Sequence, residues 1–77
     1  MTEVKDMHWA FGRNLSAYRK KKGFTQESLG ENMGVSRTYI NLLERGRGNP
    51  TFSTVMRLAQ ALEIDAGFLF FGIRYED

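Results

Sequence analysis

The chain has 77 residues, of which 42% are hydrophobic and none is cysteine. This length and composition predict a single domain over residues 1–77 with one small core, and they exclude disulfides, thiolate metal sites and a separate catalytic domain. The net charge is only +2, so any inference from charge depends on where the charged residues lie.

The first predicted helix runs from Trp9 to Lys22. Its apolar residues Phe11, Leu15 and Tyr18 recur at spacings of four and three, the period of an amphipathic helix. Gly23 follows as a C-terminal stop.

A second helix is predicted to begin at about Gln26. Thr25 is a favourable N-cap, and Phe24 and Leu29 occupy the two positions of a hydrophobic staple. Gly34 supplies the backbone freedom with which a helix ends.

A third helix follows almost at once, from Arg37 to about Arg45. Ser36 caps it, Val35 and Ile40 form its staple, and Gly46 ends it. Two short capped helices joined by a glycine turn form a helix-turn-helix, a motif that places its second helix in the major groove of DNA.

At about 100° per residue, this third helix has a polar, basic face and an apolar face. The polar side, called the outward face below, is expected to project toward base edges and holds Arg37, Thr38, Asn41, Leu42 and Arg45. The apolar side, expected against the core, holds Tyr39, Ile40 and Leu43. Any amphipathic helix has a solvated polar face, but two stapled helices with arginines at both ends of that face favour DNA reading.

A loop at residues 47–50 leads to a fourth helix capped by Thr51. Its inward residues are Val55, Leu58, Ala59 and Leu62. A short fifth helix is predicted from Ala66 to about Phe71. No stretch alternates as a strand does, so the predicted fold class is all-α, a compact domain of five helices.

Charge is distributed unevenly along the chain. Residues 13–22 carry five positive and no negative charges, whereas residues 49–77 carry two arginines against four carboxylates. This asymmetry suits a domain with one face toward phosphate and another toward a second copy of itself. A lysine run is also ordinary at the C-terminal end of a helix, and that explanation stays open.

These motifs resemble the lambda-repressor-like, or Xre-type, helix-turn-helix transcriptional regulators. The matching residues are Arg19, Gly23, Thr25, Gln26, Leu29, Ile40, Leu43, Glu44, Gly46, Pro50 and the run Leu58, Ala59, Ala61, Leu62. The resemblance covers about Phe11 to Phe70, and residues 1–5 and 74–77 are expected to be frayed ends.

In a chain this short, Arg37-Thr38-Tyr39-Ile40 followed by Glu44-Arg45-Gly46 is most similar to the small controller proteins of restriction-modification systems. Similar strings occur in phage repressors and antitoxins. The resemblance implies a lambda-repressor-like fold and a transcriptional regulator that binds double-stranded DNA sequence-specifically.

The resemblance also implies a structural role for two positions. Arg19 is expected to pair with Glu44, and loss of one partner from a partly buried pair would cost about 3 kcal/mol or more. Gly30 stands where relatives usually carry alanine; it costs the helix about 1 kcal/mol and would let helices approach closely.

Four residues are predicted to contact bases. Arg37 is the best candidate for a bidentate contact to guanine, worth about 1 to 3 kcal/mol of discrimination. Thr38 is suited to a base edge or a thymine methyl group, Asn41 to adenine, and Arg45 to base or phosphate. Leu42 stands where many relatives carry a polar reader, and its role is left open.

Phosphate contacts are predicted for Gln26, Ser36, Tyr39, Arg47 and Asn49. The role of Gln26, at the N-terminus of the second helix, is the one that the resemblance implies. Each of the others has a structural alternative: Ser36 as a cap only, Tyr39 at the edge of the core, and Arg47 and Asn49 as residues that shape a turn.

The predicted dimer interface consists of Phe68, Leu69, Phe70 and Phe71. A domain this small cannot bury three phenylalanines among four residues, so some are expected to form an exposed apolar patch. A two-fold dimer would set its recognition helices about 34 Å apart and require a roughly palindromic operator. The alternative is that the rings only cap the core.

No enzyme, metal site or cofactor is predicted, because His8 is the only histidine and the carboxylates lack ligand spacing. The N-terminal residues lack a signal-peptide pattern and no apolar run approaches the roughly 18 residues of a membrane span, so a cytoplasmic protein is expected. Its expected partners are double-stranded DNA, a second copy of itself and, at a promoter, RNA polymerase.

The alternative from another class is a helical protein-interaction module, such as an antitoxin that binds a protein partner. Salt separates the two hypotheses. The logarithm of a DNA-binding constant falls with that of salt concentration by about 0.9 per phosphate neutralised, whereas an apolar protein interface barely responds.

Overall fold

The computed structural model describes residues 4–73. It contains four α-helices, α1 Val4–Lys22, α2 Gln26–Met33, α3 Arg37–Glu44 and α4 Phe52–Leu62, followed by a 3₁₀ helix at Ala66–Phe70. No β-strand occurs within these residues, and the all-α prediction is confirmed.

The first helix begins earlier than its apolar spacing predicts. It starts at Val4 and not at Trp9, so residues 4 and 5, predicted to be frayed, are helical. No glycine or proline precedes Trp9 to stop the helix, and residues 4–8 extend it without an apolar periodicity to mark them. The other predicted frayed residues, 1–3 and 74–77, lie outside the described residues.

The fifth predicted helix is a 3₁₀ helix and not an α-helix. Its five residues are too few for a ladder of α-helical hydrogen bonds, and the Phe68 amide donates to the carbonyl of Asp65, three residues before it, at 3.0 Å. The Asp65 side chain makes no capping hydrogen bond. The predicted count of five helices is therefore correct only if the 3₁₀ turn is included.

The core lies between the four helices and the 3₁₀ helix: α3 packs against α1 and α2, and α4 packs against α2 and the 3₁₀ helix. Its residues are Phe11, Leu15, Leu29, Met33, Ile40, Leu43, Val55, Leu58, Ala59, Leu62 and Leu69. The four inward residues predicted for α4 are all among them. One continuous core of this kind makes α3 part of the scaffold on its apolar side.

Two glycines set the helices unusually close together. A Cβ atom on Gly12 would lie 2.5 Å from the carbonyl oxygen of Leu43, so α1 contacts the backbone of α3 directly. A Cβ atom on Gly30 would lie 2.7 Å from the carbonyl oxygen of Val35, which confirms the predicted close approach at that position. The end of α3 is thus in backbone contact with α1, and the turn that leads into α3 is in backbone contact with α2.

The C-terminal turn is tied to α1 by one amide side chain. Asn14 Nδ2 donates to the carbonyl oxygens of both Leu69 and Phe71, at 2.9 Å each. These bonds hold the Leu69 side chain in the core, where it is fully buried. The assignment of Leu69 to a dimer interface is therefore wrong, because its side chain is buried in the core of the monomer and cannot contact a second copy.

Candidate nucleic-acid interface

The turn between α2 and α3 is built from the caps that the sequence encodes. Thr25 accepts from the Ser28 amide at 2.9 Å while the Thr25 amide donates to Ser28 Oγ at 2.8 Å, which completes a capping box. Gly34 ends α2 in the left-handed region at φ +73°, and Ser36 caps α3 by accepting from the Tyr39 amide at 3.0 Å. The predicted starts of both helices and the glycine turn are confirmed.

The outward face of α3 is accessible in the monomer. Arg37, Thr38, Leu42 and Arg45 are exposed, and Asn41 is half-buried. Arg45 lies one residue beyond α3 as its C-cap, which matches the predicted end to within one residue. Gln26 joins Arg37, Thr38 and Asn41 around a shallow depression of about 260 Å³, so the predicted base and phosphate groups at the start of α3 lie side by side.

Four polar side chains connect α1, α2 and α3 in one hydrogen-bonded relay. Arg19 donates to both carboxylate oxygens of Glu44, Nε to Oε2 at 2.5 Å and Nη2 to Oε1 at 3.1 Å, which confirms the predicted pair. Gln26 Nε2 donates to Glu44 Oε1 at 3.2 Å, and Asn41 Nδ2 donates to Gln26 Oε1 at 3.3 Å. Arg19 also donates to the Phe24 carbonyl at 2.8 Å.

The hydrogen bonds of this relay orient the side chains of Gln26 and Asn41. In the free protein the Gln26 amide is oriented by Glu44, and Asn41 in turn is oriented by Gln26. Such orientation reduces the conformational entropy lost when either group meets a ligand. The sequence carried no signal for the contact between Gln26 and Asn41, because the two residues are neighbours only once the glycine turn has brought α2 against α3.

The remaining predicted phosphate contacts lie around α3. Ser36 is exposed at its N-terminus, where the hydroxyl already accepts the capping bond, and Tyr39 is half-buried against the core. Arg47 and Asn49 are exposed in the loop after α3. The Arg47 amide donates to the Leu42 carbonyl at 2.9 Å, which fixes the loop against the end of the helix.

Trp9 and Arg13 extend this surface onto α1. The Arg13 guanidinium carbon lies 5.5 Å from the centre of the Trp9 ring, in cation–π geometry, and the Trp9 backbone lies directly against Gly46. The basic segment of α1 therefore begins beside the loop that follows α3. Sequence spacing missed this contact, although an exposed tryptophan in a small domain is a recognisable signal.

The other end of the basic segment has a different partner. Lys22 donates to a carboxylate oxygen of Glu63 at the end of α4. This hydrogen bond, together with the positive charge of Lys22, lowers the pKa of the Glu63 carboxyl. The structure thus assigns Lys22 to a surface ion pair, in line with the ordinary explanation of a lysine run at a helix end.

Several apolar side chains of α4 and of the C-terminal turn are exposed to solvent. Phe52 is 82% exposed and Phe71 77% exposed, whereas Phe68, Phe70 and Met56 are about half exposed. Phe70 still packs against Phe11 as a tilted ring pair, at 5.4 Å between ring centres, and Phe68 packs against Tyr18 in the same way at 5.9 Å. The rings therefore cap the core with one side and face outward with the other.

An apolar groove of about 380 Å³ runs beside the rings of Phe52 and Phe70. Its apolar walls include Met7, Phe11, Phe52, Met56, Phe70 and Ile73. Phe52 and Met56 were not among the predicted interface residues. They lie one turn apart at the start of α4, so their spacing could have placed them on one face.

Residues 4–73 hold no group of three or more potential metal-ligating side chains. Among the helices of this part of the chain, none combines the length and the apolar character required to cross a membrane.

Comparison with known proteins identifies the architecture. The helix-turn-helix family matches residues 15–69. An uncharacterized HTH-type transcriptional regulator from Sinorhizobium fredii is 46% identical over 59 residues, covering 77% of each chain. The control protein C.SmaI of Serratia marcescens is 40% identical over 57 residues, which cover 74% of this chain and 68% of that protein.

Among solved structures, the restriction-modification controller protein C.AhdI from Aeromonas hydrophila superimposes with a TM-score of 0.84. It is 33% identical, and the match covers 90% of this chain and all of that one. The chain therefore belongs to the helix-turn-helix family of DNA-binding transcriptional regulators.

Proposed function

We propose that this regulator binds double-stranded DNA sequence-specifically as a homodimer on a roughly palindromic operator, in the manner of a restriction-modification controller. The observation that carries the proposal is the outward face of α3. Arg37, Thr38 and Arg45 are exposed along one side of a helix whose other side, through Ile40 and Leu43, is fully buried. A helix mounted in this way presents hydrogen-bond donors at a depth and spacing suited to major-groove base edges.

Within this proposal the side chains take separate roles. Arg37 at the first turn of α3 reads guanine, and Thr38, Asn41 and Arg45 contact the bases that follow. Gln26, Ser36 and Tyr39 hold one stretch of phosphates, and Arg47 and Asn49 hold another. The relay through Glu44 supports this division because it orients Gln26 and Asn41 before DNA arrives.

The exposed rings support the dimer. Phe52 and Phe71 remain largely in water in the monomer, and the apolar groove next to Phe52 has no cover among the described residues. Burial of such surfaces against an identical copy gives a closed two-fold interface. The interface of the proposal consists of Phe68, Phe70 and Phe71 together with Phe52 and Met56, and it omits Leu69.

The likeness to C.SmaI and C.AhdI supports a controller as the class of regulator. Such a dimer would act by occupancy: bound near a promoter, it either blocks RNA polymerase or recruits it from an upstream site. Transcription in vitro from templates that carry the operator on either side of the promoter distinguishes these two modes.

Selection of bound sequences from random duplex DNA tests the proposal. We expect two inverted half-sites about 10 base pairs apart, centre to centre. The Arg37→Ala substitution should relax preference at one position per half-site, with a loss of about 1 to 3 kcal/mol of discrimination there. Lys21→Ala is the matched control. It also removes one positive charge, but its side chain lies next to Leu62 and not on the outward face of α3.

Salt dependence separates this function from the protein-interaction alternative. Affinity for the selected duplex should fall steeply with salt, by about 0.9 logarithmic units per neutralised phosphate and per tenfold increase in concentration. Flat salt dependence, or an Arg37→Ala variant with the same base preferences as the wild type, would contradict the proposal.

A further inference from the structure

Leu42 is an apolar side chain on a surface otherwise built from polar and basic groups. It is 39% exposed, whereas its neighbours Ile40 and Leu43 are 0% and 1% exposed. One helical turn before it lies Thr38 and three residues after it lies Arg45, both exposed. Leu42 therefore belongs to the outward face and not to the core.

The Leu42 side chain is not part of the hydrophobic core. The inward face of α3 is completed by Ile40 and Leu43, and the Arg19 pair with Glu44 closes the side toward α1. The Leu42 carbonyl accepts from the amides of Arg45 and Arg47 at 3.2 and 2.9 Å, and the side chain lies outside the buried core. Exposed leucine surface is unfavourable in water, so covering it with a ligand makes the free energy of binding more favourable.

The chemistry of the major groove restricts what Leu42 can recognise. Leucine neither donates nor accepts a hydrogen bond, so it cannot distinguish the N7, O6, N4, N6 or O4 positions of the bases. The one apolar group among the base edges is the C5-methyl of thymine. Its neighbour Thr38 adds a second methyl group to the same side of the helix.

We infer that Leu42 reads a thymine in each half-site by covering its C5-methyl group. This inference rests on the proposed function, because it requires that α3 enter the major groove. It adds a specificity residue that acts by apolar contact between the arginines at the two ends of the outward face.

Replacement of thymine by deoxyuridine tests the inference, because it removes the methyl group and keeps every hydrogen-bonding position. In the selected operator, each thymine is replaced in turn, and the dissociation constant is measured by fluorescence anisotropy. At one thymine per half-site the wild type should lose about fourfold in affinity, the factor that corresponds to the ~0.8 kcal/mol of one buried CH₂ group. The Leu42→Ala variant should show no loss at that thymine.

Two controls make the result specific to Leu42. Thermal unfolding should show that Leu42→Ala remains folded at the temperature of the binding assay, since the side chain is not part of the buried core. Lys21→Ala, which alters a side chain beside Leu62 and not on the outward face of α3, should keep the deoxyuridine effect.

The outcomes distinguish the inference from the function beneath it. If the wild type binds its operator but tolerates deoxyuridine at every thymine, Leu42 does not read a methyl group and the proposed function stands. Persistence of the effect in Leu42→Ala would assign the methyl contact to another residue and overturn the inference. Failure of the wild type to select any duplex would overturn both.

Discussion

Arg19 and Glu44 are held out of water between α1 and α3, and this burial decides how much the pair matters. The two side chains are 10% and 7% exposed, and Gln26 shares the Glu44 carboxylate. A buried charge left without its partner is costly, whereas an exposed ion pair contributes about 0 to 1 kcal/mol. The same chain supplies both situations, since Lys22 and Glu63 form an exposed pair.

We expect the Glu44→Gln substitution to lower the free energy of unfolding by about 3 kcal/mol or more, because it leaves the Arg19 guanidinium buried without a counter-charge. Urea denaturation measures the change. Glu63→Gln is the matched control and should change the free energy of unfolding far less, because its ion pair with Lys22 is exposed to solvent. Equal losses in the two variants would show that the buried pair is not the stabilising contact that its geometry indicates.

At the scale of the helices, the backbone contact between α1 and α3 depends on a residue without a side chain. A Cβ atom on Gly12 would also lie 2.6 Å from the carbonyl oxygen of Glu44, and backbone atoms cannot rotate away as a flexible side chain can. Alanine is ordinarily the better helix former by about 1 kcal/mol. Steric overlap and helix propensity therefore oppose each other at this position.

Overlap should prevail. We expect Gly12→Ala to lower the free energy of unfolding by about 1 to 2 kcal/mol after the gain in propensity, since overpacking typically costs about 1 to 3 kcal/mol. Gly30→Ala should change it in the same direction. Gly67, whose Cβ would meet nothing within 4 Å, is the control position, and Gly67→Ala should leave the chain equally or more stable. Unchanged thermal unfolding of Gly12→Ala would contradict the close approach of α1 and α3.

The elements differ in how far sequence alone could predict them. The starts of α2 and α3 are set by local chemistry, a cap and a staple within four residues, so Thr25 and Ser36 could be identified correctly. The first turns of α1 carry no apolar period that would mark where the helix begins. The 3₁₀ helix is held by the Asn14 bonds to Leu69 and Phe71, which join residues distant in sequence and leave no local pattern.

The candidate site divides in the same way. Exposure of the outward face follows from helical periodicity, and the pairing of Arg19 with Glu44 follows from a family resemblance. The bond from Asn41 to Gln26 and the burial of Leu69 depend on tertiary contacts between residues distant in sequence. The exposure of Phe52 and Met56 beside the groove was not predicted, because the three phenylalanines of residues 68–71 were the only apolar cluster considered for an exposed patch.

At the scale of the whole molecule, the polar outward face and the apolar rings divide the proposed binding of DNA and of a second copy between separate elements. Phe52 and Phe71 contribute little to the monomer core, so substituting them should leave the fold intact. Self-association can therefore be weakened without unfolding the DNA-binding unit. This separation makes the dimer testable by itself.

We expect Phe52→Ser and Phe71→Ser, singly and together, to shift the chain toward monomer in sedimentation equilibrium, because each removes apolar area that the second copy would cover. The same variants should bind a single half-site like the wild type and the full operator more weakly. Trp9→Ser, which removes an exposed aromatic residue outside the groove, is the control for the sedimentation measurement. A wild-type chain that stays monomeric at all concentrations tested, or variants that associate unchanged, would contradict the interface.

The packing of α3 against the domain has a consequence for engineering variants that recognise new operators. Because Gly12, Glu44 and the two fully buried residues Ile40 and Leu43 anchor the helix from behind, the exposed positions 37, 38, 42 and 45 can be exchanged without repacking the domain. Asn41 is the exception, since its amide is coupled through Gln26 to the Arg19 pair. A library that varies the four free positions should yield folded variants, whereas changes at position 41 call for a compensating change at position 26.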